Sequence, residues 1–215
     1  CRAYSEDPTV DLVCVCDQNE ERAKQAAQKY NCEYTSNPQE IANDPSISIV
    51  SVVTPDFAHR DISLMVIEAG KNLIVEKPLA TNVDDAQAIT DAVKSKGVKF
   101  MTDFQNRWNP PFLQAKQNLE SGEFGEPVSA YIRLANSIMI TEWLSWSAQS
   151  GPQWFLAPHI VDLVCWLYGQ KPIKVFAMGK RKILKSLGYD TYDALQAQLI
   201  FEDSKGGRVK GGHPI

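Results

Sequence analysis

Four short apolar runs, rich in β-branched residues, alternate with helix-patterned segments over the first hundred positions, at 11–17, 47–53, 73–75 and 98–101. Each is continuous rather than alternating, the pattern of a strand buried on both faces. Between them apolar side chains recur at helical spacing: Ala23, Ala26, Ala27 and Tyr30, then Ile62, Met65, Val66 and Ala69, then Ala86, Ile89 and Val93. Asn19 and Asn82 stand where N-caps belong, and Gly70 and Gly97 where helices stop. Residues 32–35 read as a further short strand and 38–42 as a short helix. This alternation predicts a doubly wound parallel sheet with helices on both faces, extending to about residue 104.

The second half changes character. Residues 111–121 read as a helix closed by Gly122. At 128–134, Val128, Ala130, Ile132 and Leu134 alternate with Ser129, Tyr131 and Arg133, a period of two with one wet face. Segments 173–178 and 194–201 are similar, and a helix at 160–167 ending at Gly169 lies between the first of these strands and the other two. Such strands predict an open, mostly antiparallel sheet. Segment 205–212 reads as a loop or a cut strand. The expected fold class is therefore α/β: an incomplete dinucleotide-binding, Rossmann-like domain at 1–104 and an incomplete C-terminal substrate and oligomerisation domain at 105–215.

The net charge of −4 over 215 residues is mild and mixed, which argues against a nucleic-acid partner. No apolar run approaches the ~18 residues of a membrane span. Five cysteines form no ligand pair set against a second pair. Cys14 and Cys16 share one face of a strand and read as small core residues rather than a metal site. A reducing, cytoplasmic setting fits. The chain opens on Cys1 without an initiator Met, so its start says nothing about a leader peptide.

Candidate chemistry begins with Glu76-Lys77-Pro78, which closes the third core strand. Ligands bind at the carboxyl ends of strands in such sheets. A lysine beside a core is rarely idle, although an ordinary strand-end lysine facing water fits the tripeptide equally. Asp17 ends the first run. An acid there can accept hydrogen bonds from adenosine ribose hydroxyls and would repel a 2′-phosphate, favouring NAD over NADP; the plainer role is a helix cap. The glycine-rich phosphate loop should lie about 20 residues before that acid, upstream of Cys1. The expectation is a fragment lacking the first, central strand, with a gap between the two halves of the sheet.

Thr54-Pro55 closes the second run, and His59 follows in the first helical turn. Free backbone N–H groups and a hydroxyl suit a dinucleotide; a lone His there is more often plain surface. Arg107 and Trp108 follow the fourth run and can line a cleft or form a hinge. His159 and Asp162 lie three apart on one helical face, the way an acid holds an imidazole for proton transfer; a structural salt link explains the pair as well.

Together these residues resemble the Gfo/Idh/MocA family of NAD(P)-dependent oxidoreductases. The matching elements are Asp17, Val52-Val53-Thr54-Pro55 with His59, Ala69-Gly70-Lys71 with Glu76-Lys77-Pro78, Asn106-Arg107, and the helix carrying His159 and Asp162. The resemblance implies that Asp17, Thr54, Pro55, His59, Glu76, Lys77 and Arg107 hold the cofactor. It further implies that Lys77, His159 and Asp162 meet the substrate, that His159 is the acid/base, and that the C-terminal sheet joins subunits into a homo-oligomer. Where many members carry an Asp four residues before the His, and a Gly between, this chain has Phe155 and Ala157.

The expected activity is hydride transfer between NAD and a hydroxyl-bearing or keto carbon of a sugar, cyclitol or related polyol, with no metal. His159 would take the hydroxyl proton while Lys77 stabilises the growing negative charge. Lys77 and His159 are expected to converge on one pocket. The alternative on the same scaffold is an NAD-dependent glycosidase or a nucleotide-binding regulator without turnover, kept open by Phe155. Trp143, Trp146, Trp154 and Trp166 make the second half aromatic-rich, which suits core packing or an interface better than sugar stacking.

Overall fold

The computed structural model describes residues 1–202, so the 205–212 reading lies outside the described residues. The chain forms two compact units, 1–102 and 103–215.

The first unit opens with α1 (Arg2–Glu6) and β1 (Cys14–Cys16). Then come α2 (Glu20–Tyr30), β2 (Glu33–Thr35), α3 (Pro38–Asn43), β3 (Ile49–Val52), α4 (His59–Glu68), β4 (Asn72–Glu76) and α5 (Val83–Lys96), before β5 (Phe100–Asp103) at the boundary. The caps fall where the sequence puts them. Asn19 Oδ1 accepts from Arg22 N at 3.1 Å, and Asn82 Oδ1 from Asp85 N at 2.8 Å. Gly70 and Gly97 leave their helices at φ +74° and +68°, where a side chain would be strained.

The parallel strands divide into two sheets, β1–β2 and β3–β4–β5, which is the gap expected for this half. The gap has consequences. Cys16 is exposed and Cys14 only half-buried, because among the described residues β1 has a neighbouring strand on one side alone; they are not the core residues the sequence suggested. On β3, Ile49 is 51% exposed. Tyr4 of α1 reaches Ser51 of β3, Oη to Oγ, at 3.1 Å.

The core sits on the β3–β4–β5 sheet: Val52, Val66, Ile67, Leu73, Val75 and Ile89 are each at most 2% exposed. Burying an aliphatic side chain of this size contributes about 1.5–3 kcal/mol. Lys71, 7% exposed, stands at the start of β4. Its ammonium donates to the carbonyls of Asp44 at 2.5 Å and Ile47 at 2.6 Å, pinning the segment that leads into β3.

The second unit holds α6 (Pro110–Glu120), α7 (Ile140–Trp143), α8 (Pro152–Phe155), α9 (Ala157–Tyr168), β6 (Lys174–Lys180), α10 (Ile183–Ser186) and β7 (Ala194–Ile200). As expected, β6 and β7 pair antiparallel, from Lys174 opposite Ile200 to Lys180 opposite Ala194. The alternating segment 128–134 is not a strand: it runs as irregular chain with Val128 83% and Tyr131 87% exposed. A strand exists only as part of a ladder, and this segment pairs with no strand among the described residues. Nor does β6 show one wet and one dry face, since all seven of its residues are exposed, Val175 and Phe176 included.

Candidate active site

In the first unit the sequence-selected residues gather at the carboxyl ends of parallel strands. Asp17 follows β1. Its Oδ1 accepts from Asn19 N at 2.8 Å and its Oδ2 lies 3.2 Å from Arg22 Nη1. Its side chain stays 30% exposed, so the carboxylate keeps an open edge, and the helix cap is Asn19 rather than Asp17.

Thr54-Pro55 follows β3. The Thr54 hydroxyl is buried without a hydrogen-bond partner, a donor left over at a strand end where a buried polar group normally finds one. His59 stands at the start of α4 and is 1% exposed. Its Nδ1 lies 2.7 Å from the Pro78 carbonyl and its Nε2 2.9 Å from the Thr54 carbonyl. Carbonyls only accept, so in either neutral tautomer one ring N–H donates to a loop. His59 is neither plain surface nor a ring nitrogen offered to a cofactor. It is a tie between the loops that leave β3 and β4, and one of those loops carries Lys77. Its sequence signal, a polar residue at a helix start, says nothing of this.

Glu76 ends β4, and its Oε2 accepts from the Lys77 backbone N–H at 3.1 Å. The Lys77–Pro78 peptide is cis. Burial lowers the pKa of the Lys77 ammonium below its ordinary 10.5, and the nearby acids Glu76 and Asp56 oppose the shift without cancelling it. Asp56 is itself 5% exposed. The result is an amine that gives up a proton more readily than a surface lysine.

In the second unit α9 carries both His159 and Asp162. The His159 backbone N–H donates to the Leu156 carbonyl at 3.2 Å, closing the turn between α8 and α9. Asp162 does not stand in reserve for the imidazole. Arg107 takes both carboxylate oxygens, Nε to Oδ2 at 2.8 Å and Nη2 to Oδ1 at 2.5 Å. The Asp162 side chain is 10% exposed and that of Arg107 39%. The pair raises the Arg107 pKa, chiefly through the side-chain bond to Asp162. Arg107, expected as a cofactor contact, thus has its fork committed to α9, and Asp162, expected beside the substrate, serves as its anchor. Planar carboxylate and planar guanidinium match two bonds at once, which explains why this pairing wins. Trp108 beside it is 67% exposed.

Family models match nearly the whole chain. One, described as an oxidoreductase family with an NAD-binding Rossmann fold, matches residues 1–104, and a GFO/IDH/MocA C-terminal domain matches 112–212. Among similar proteins, scyllo-inositol 2-dehydrogenase (NAD(+)) of Bacillus subtilis is 36% identical over 122 residues, 56% of this chain and 36% of that protein. Levoglucosan dehydrogenase of Pseudarthrobacter phenanthrenivorans is 32% identical over 169 residues, 73% of this chain and 42% of that one. The chain thus spans less than half the length of either relative. Among solved structures, levoglucosan dehydrogenase in complex with NADH and levoglucosan aligns at TM-score 0.75 and 28% identity, covering 91% of this chain and 55% of that chain. Myo-inositol 2-dehydrogenase from Lactobacillus plantarum aligns at TM-score 0.80 and 20% identity, covering 96% and 62%, and speaks to the fold alone.

Proposed function

The chain belongs to the Gfo/Idh/MocA oxidoreductase family, and from that premise we propose that it transfers hydride between NAD and a hydroxyl-bearing or keto carbon of a sugar, cyclitol or related polyol. The observation that carries the reading is Lys77: an amine at the carboxyl end of a core strand, its pKa lowered by burial, with the acids Glu76 and Asp56 nearby.

The residues present fit a dinucleotide. The open edge of the Asp17 carboxylate suits ribose hydroxyls, and the unpaired Thr54 hydroxyl supplies a donor at the next strand end. Asp17, Thr54, Pro55 and the loop of Glu76 and Lys77 would hold the cofactor, which when bound supplies the hydride acceptor or donor. The chain's own part is proton handling and charge stabilisation. His159 accepts the proton of the substrate hydroxyl as the carbinol carbon is oxidised. The Lys77 ammonium serves to hydrogen-bond a substrate oxygen and stabilise negative charge that grows on it. Arg107 holds Asp162, and so fixes the helix that presents His159. Asp17 favours NAD over NADP, because its charge repels a 2′-phosphate. Assembly through the β6–β7 sheet belongs to the same reading, supported by the exposure of Val175, Phe176 and Met178 there.

The test is Lys77→Ala. With a panel of inositols and sugars, absorbance of the reduced nicotinamide should rise for the parent protein and not for the variant, while nucleotide binding measured by fluorescence survives. Turnover that persists in the variant overturns the role of Lys77. Nucleotide binding by the parent without net reduction across the panel overturns the dehydrogenase reading.

A further inference from the structure

A cavity of about 80 Å³ opens within the second unit, walled by Ile140, Leu144, Trp146, Phe155, Leu156 and Leu184. Among the described residues, none that lines it carries a charge. Trp146 and Phe155 meet edge to face, with ring centroids 6.1 Å apart and planes at 66°. Leu156 is the residue whose carbonyl holds the His159 backbone N–H, so this wall adjoins the candidate base.

Asn136, Thr141, Ser147, Ser150 and Thr191 set polar groups among the apolar wall. Thr191 lines the cavity at 6% exposure, and its hydroxyl is buried without a hydrogen-bond partner. Two of the neighbouring hydroxyls are satisfied: Thr141 Oγ1 donates to the Ile138 carbonyl at 2.7 Å, and Ser147 Oγ to the Thr141 carbonyl at 2.8 Å. The placement of Thr191 depends on Gly151, because a Cβ there would lie 2.0 Å from the Thr191 hydroxyl oxygen. The same Cβ would lie 2.5 Å from Gln153 Oε1, which is also buried and unpaired. A donor and an acceptor thus stand near one glycine, each without a partner, beside an apolar chamber. The unpaired Thr191 hydroxyl in this wall matches a hydroxyl-bearing carbon with a small alkyl neighbour: the ligand hydroxyl can accept from Thr191 while the alkyl group fills the chamber. The volume is about half that of the ~150 Å³ apolar cavity known to take benzene, so an aromatic ring is too large and a methyl or ethyl group is the right scale. A fully hydroxylated group would leave an added hydroxyl unpaired against hydrocarbon, which is unfavourable.

We propose that this cavity is a binding subsite for a deoxygenated, methyl-bearing end of a polyol or sugar. That it belongs to the substrate rests on the dehydrogenase reading; that it binds such a group does not. The two are separable by measuring binding without turnover. The matched probes are 1,2-propanediol and glycerol, which differ by one methyl against one hydroxymethyl group. They are titrated into the full chain and followed by two-dimensional amide and indole NMR. Saturable shifts at the Trp146 indole and the Thr191 amide are expected with 1,2-propanediol, and binding about tenfold weaker with glycerol. Thr191→Val should weaken 1,2-propanediol by about fivefold, the loss of one net hydrogen bond. Leu184→Phe, which fills the chamber without removing a polar group, should abolish the shifts. If either variant loses its native dispersion, the other variant and the probe pair still decide. Equal affinity for both probes, no saturable shift for either, or unchanged binding in a folded Thr191→Val overturns the proposal.

Discussion

Removing the pairing of Arg107 and Asp162 should cost more than a surface ion pair and less than a fully buried one. A fully buried pair broken on one side loses about 3–5 kcal/mol, whereas an exposed pair is worth about 0.2–1 kcal/mol. Here the carboxylate is 10% exposed and the guanidinium 39%, so water screens one partner and not the other. Both oxygens are engaged, which strengthens the contact and fixes its geometry. The expected coupling is about 1.5–2 kcal/mol. The assay is a double-mutant cycle on Arg107→Met, Asp162→Asn and the double variant, each unfolded in urea with the slope held in common. Arg107→Met alone should be the worst of the three, by about 2 kcal/mol, because it strands a nearly buried carboxylate. The double variant should recover part of that loss. High salt should reduce the coupling only modestly, since a nearly buried charge is poorly screened. A coupling below about 0.5 kcal/mol, or one that vanishes in 1 M salt, would refute the view that this contact anchors the helix bearing His159.

Other outcomes follow from the same geometry. Lys71→Met keeps the stem and deletes an ammonium that donates to two carbonyls; at about 1.5–3 kcal/mol for each charge-assisted bond, less the desolvation no longer incurred, the urea midpoint should fall by an amount equal to about 2–4 kcal/mol. For Lys77 the folded pKa lies below the unfolded value near 10.5. Between the two only the unfolded chain holds the proton, so stability should rise with pH across that window; unfolding curves in alkaline buffers should show the rise, and Lys77→Met should remove it. The Cys14 thiol is pushed up to about 11, first by burial and then by its neighbours Cys16 and Cys32. At pH 8 only about one molecule in a thousand carries its thiolate, so mass-spectrometric mapping of iodoacetamide labelling should find exposed Cys1 modified well before Cys14.

The legible part of this protein is the part written in local chemistry. Asn19 and Asn82 cap helices because a side-chain oxygen reaches an N–H three residues on, and Gly70 and Gly97 end them because they tolerate positive φ. Both effects act within one turn. The division of the parallel strands into two sheets was legible too, from the distance between Asp17 and the phosphate loop that should precede it. Segment 128–134 marks the opposite limit. Its alternation is a sound strand pattern, but a strand needs a partner, and period alone does not supply one.

Among the candidate site residues, residue type and place along the chain were legible and partnership was not. Asp17, Thr54, Glu76, Lys77 and His159 announce themselves by residue type and by position at strand ends or a helix start. The contacts they and their neighbours make span long stretches of chain. His59 ties to Pro78 across 19 residues, Lys71 to Asp44 across 27, and Arg107 to Asp162 across 55. The sequence by itself determined the alternating α/β order, the caps and stops, and which residue types stand at the carboxyl edges. Tertiary structure alone decided that His59 turns inward to two carbonyls, that Asp162 is taken by Arg107, and that Thr191 faces an apolar chamber. The physical reason is range: capping and periodicity act over one helical turn or strand repeat, while hydrogen bonds and burial depend on which distant segments the fold brings within 3 Å or so of each other.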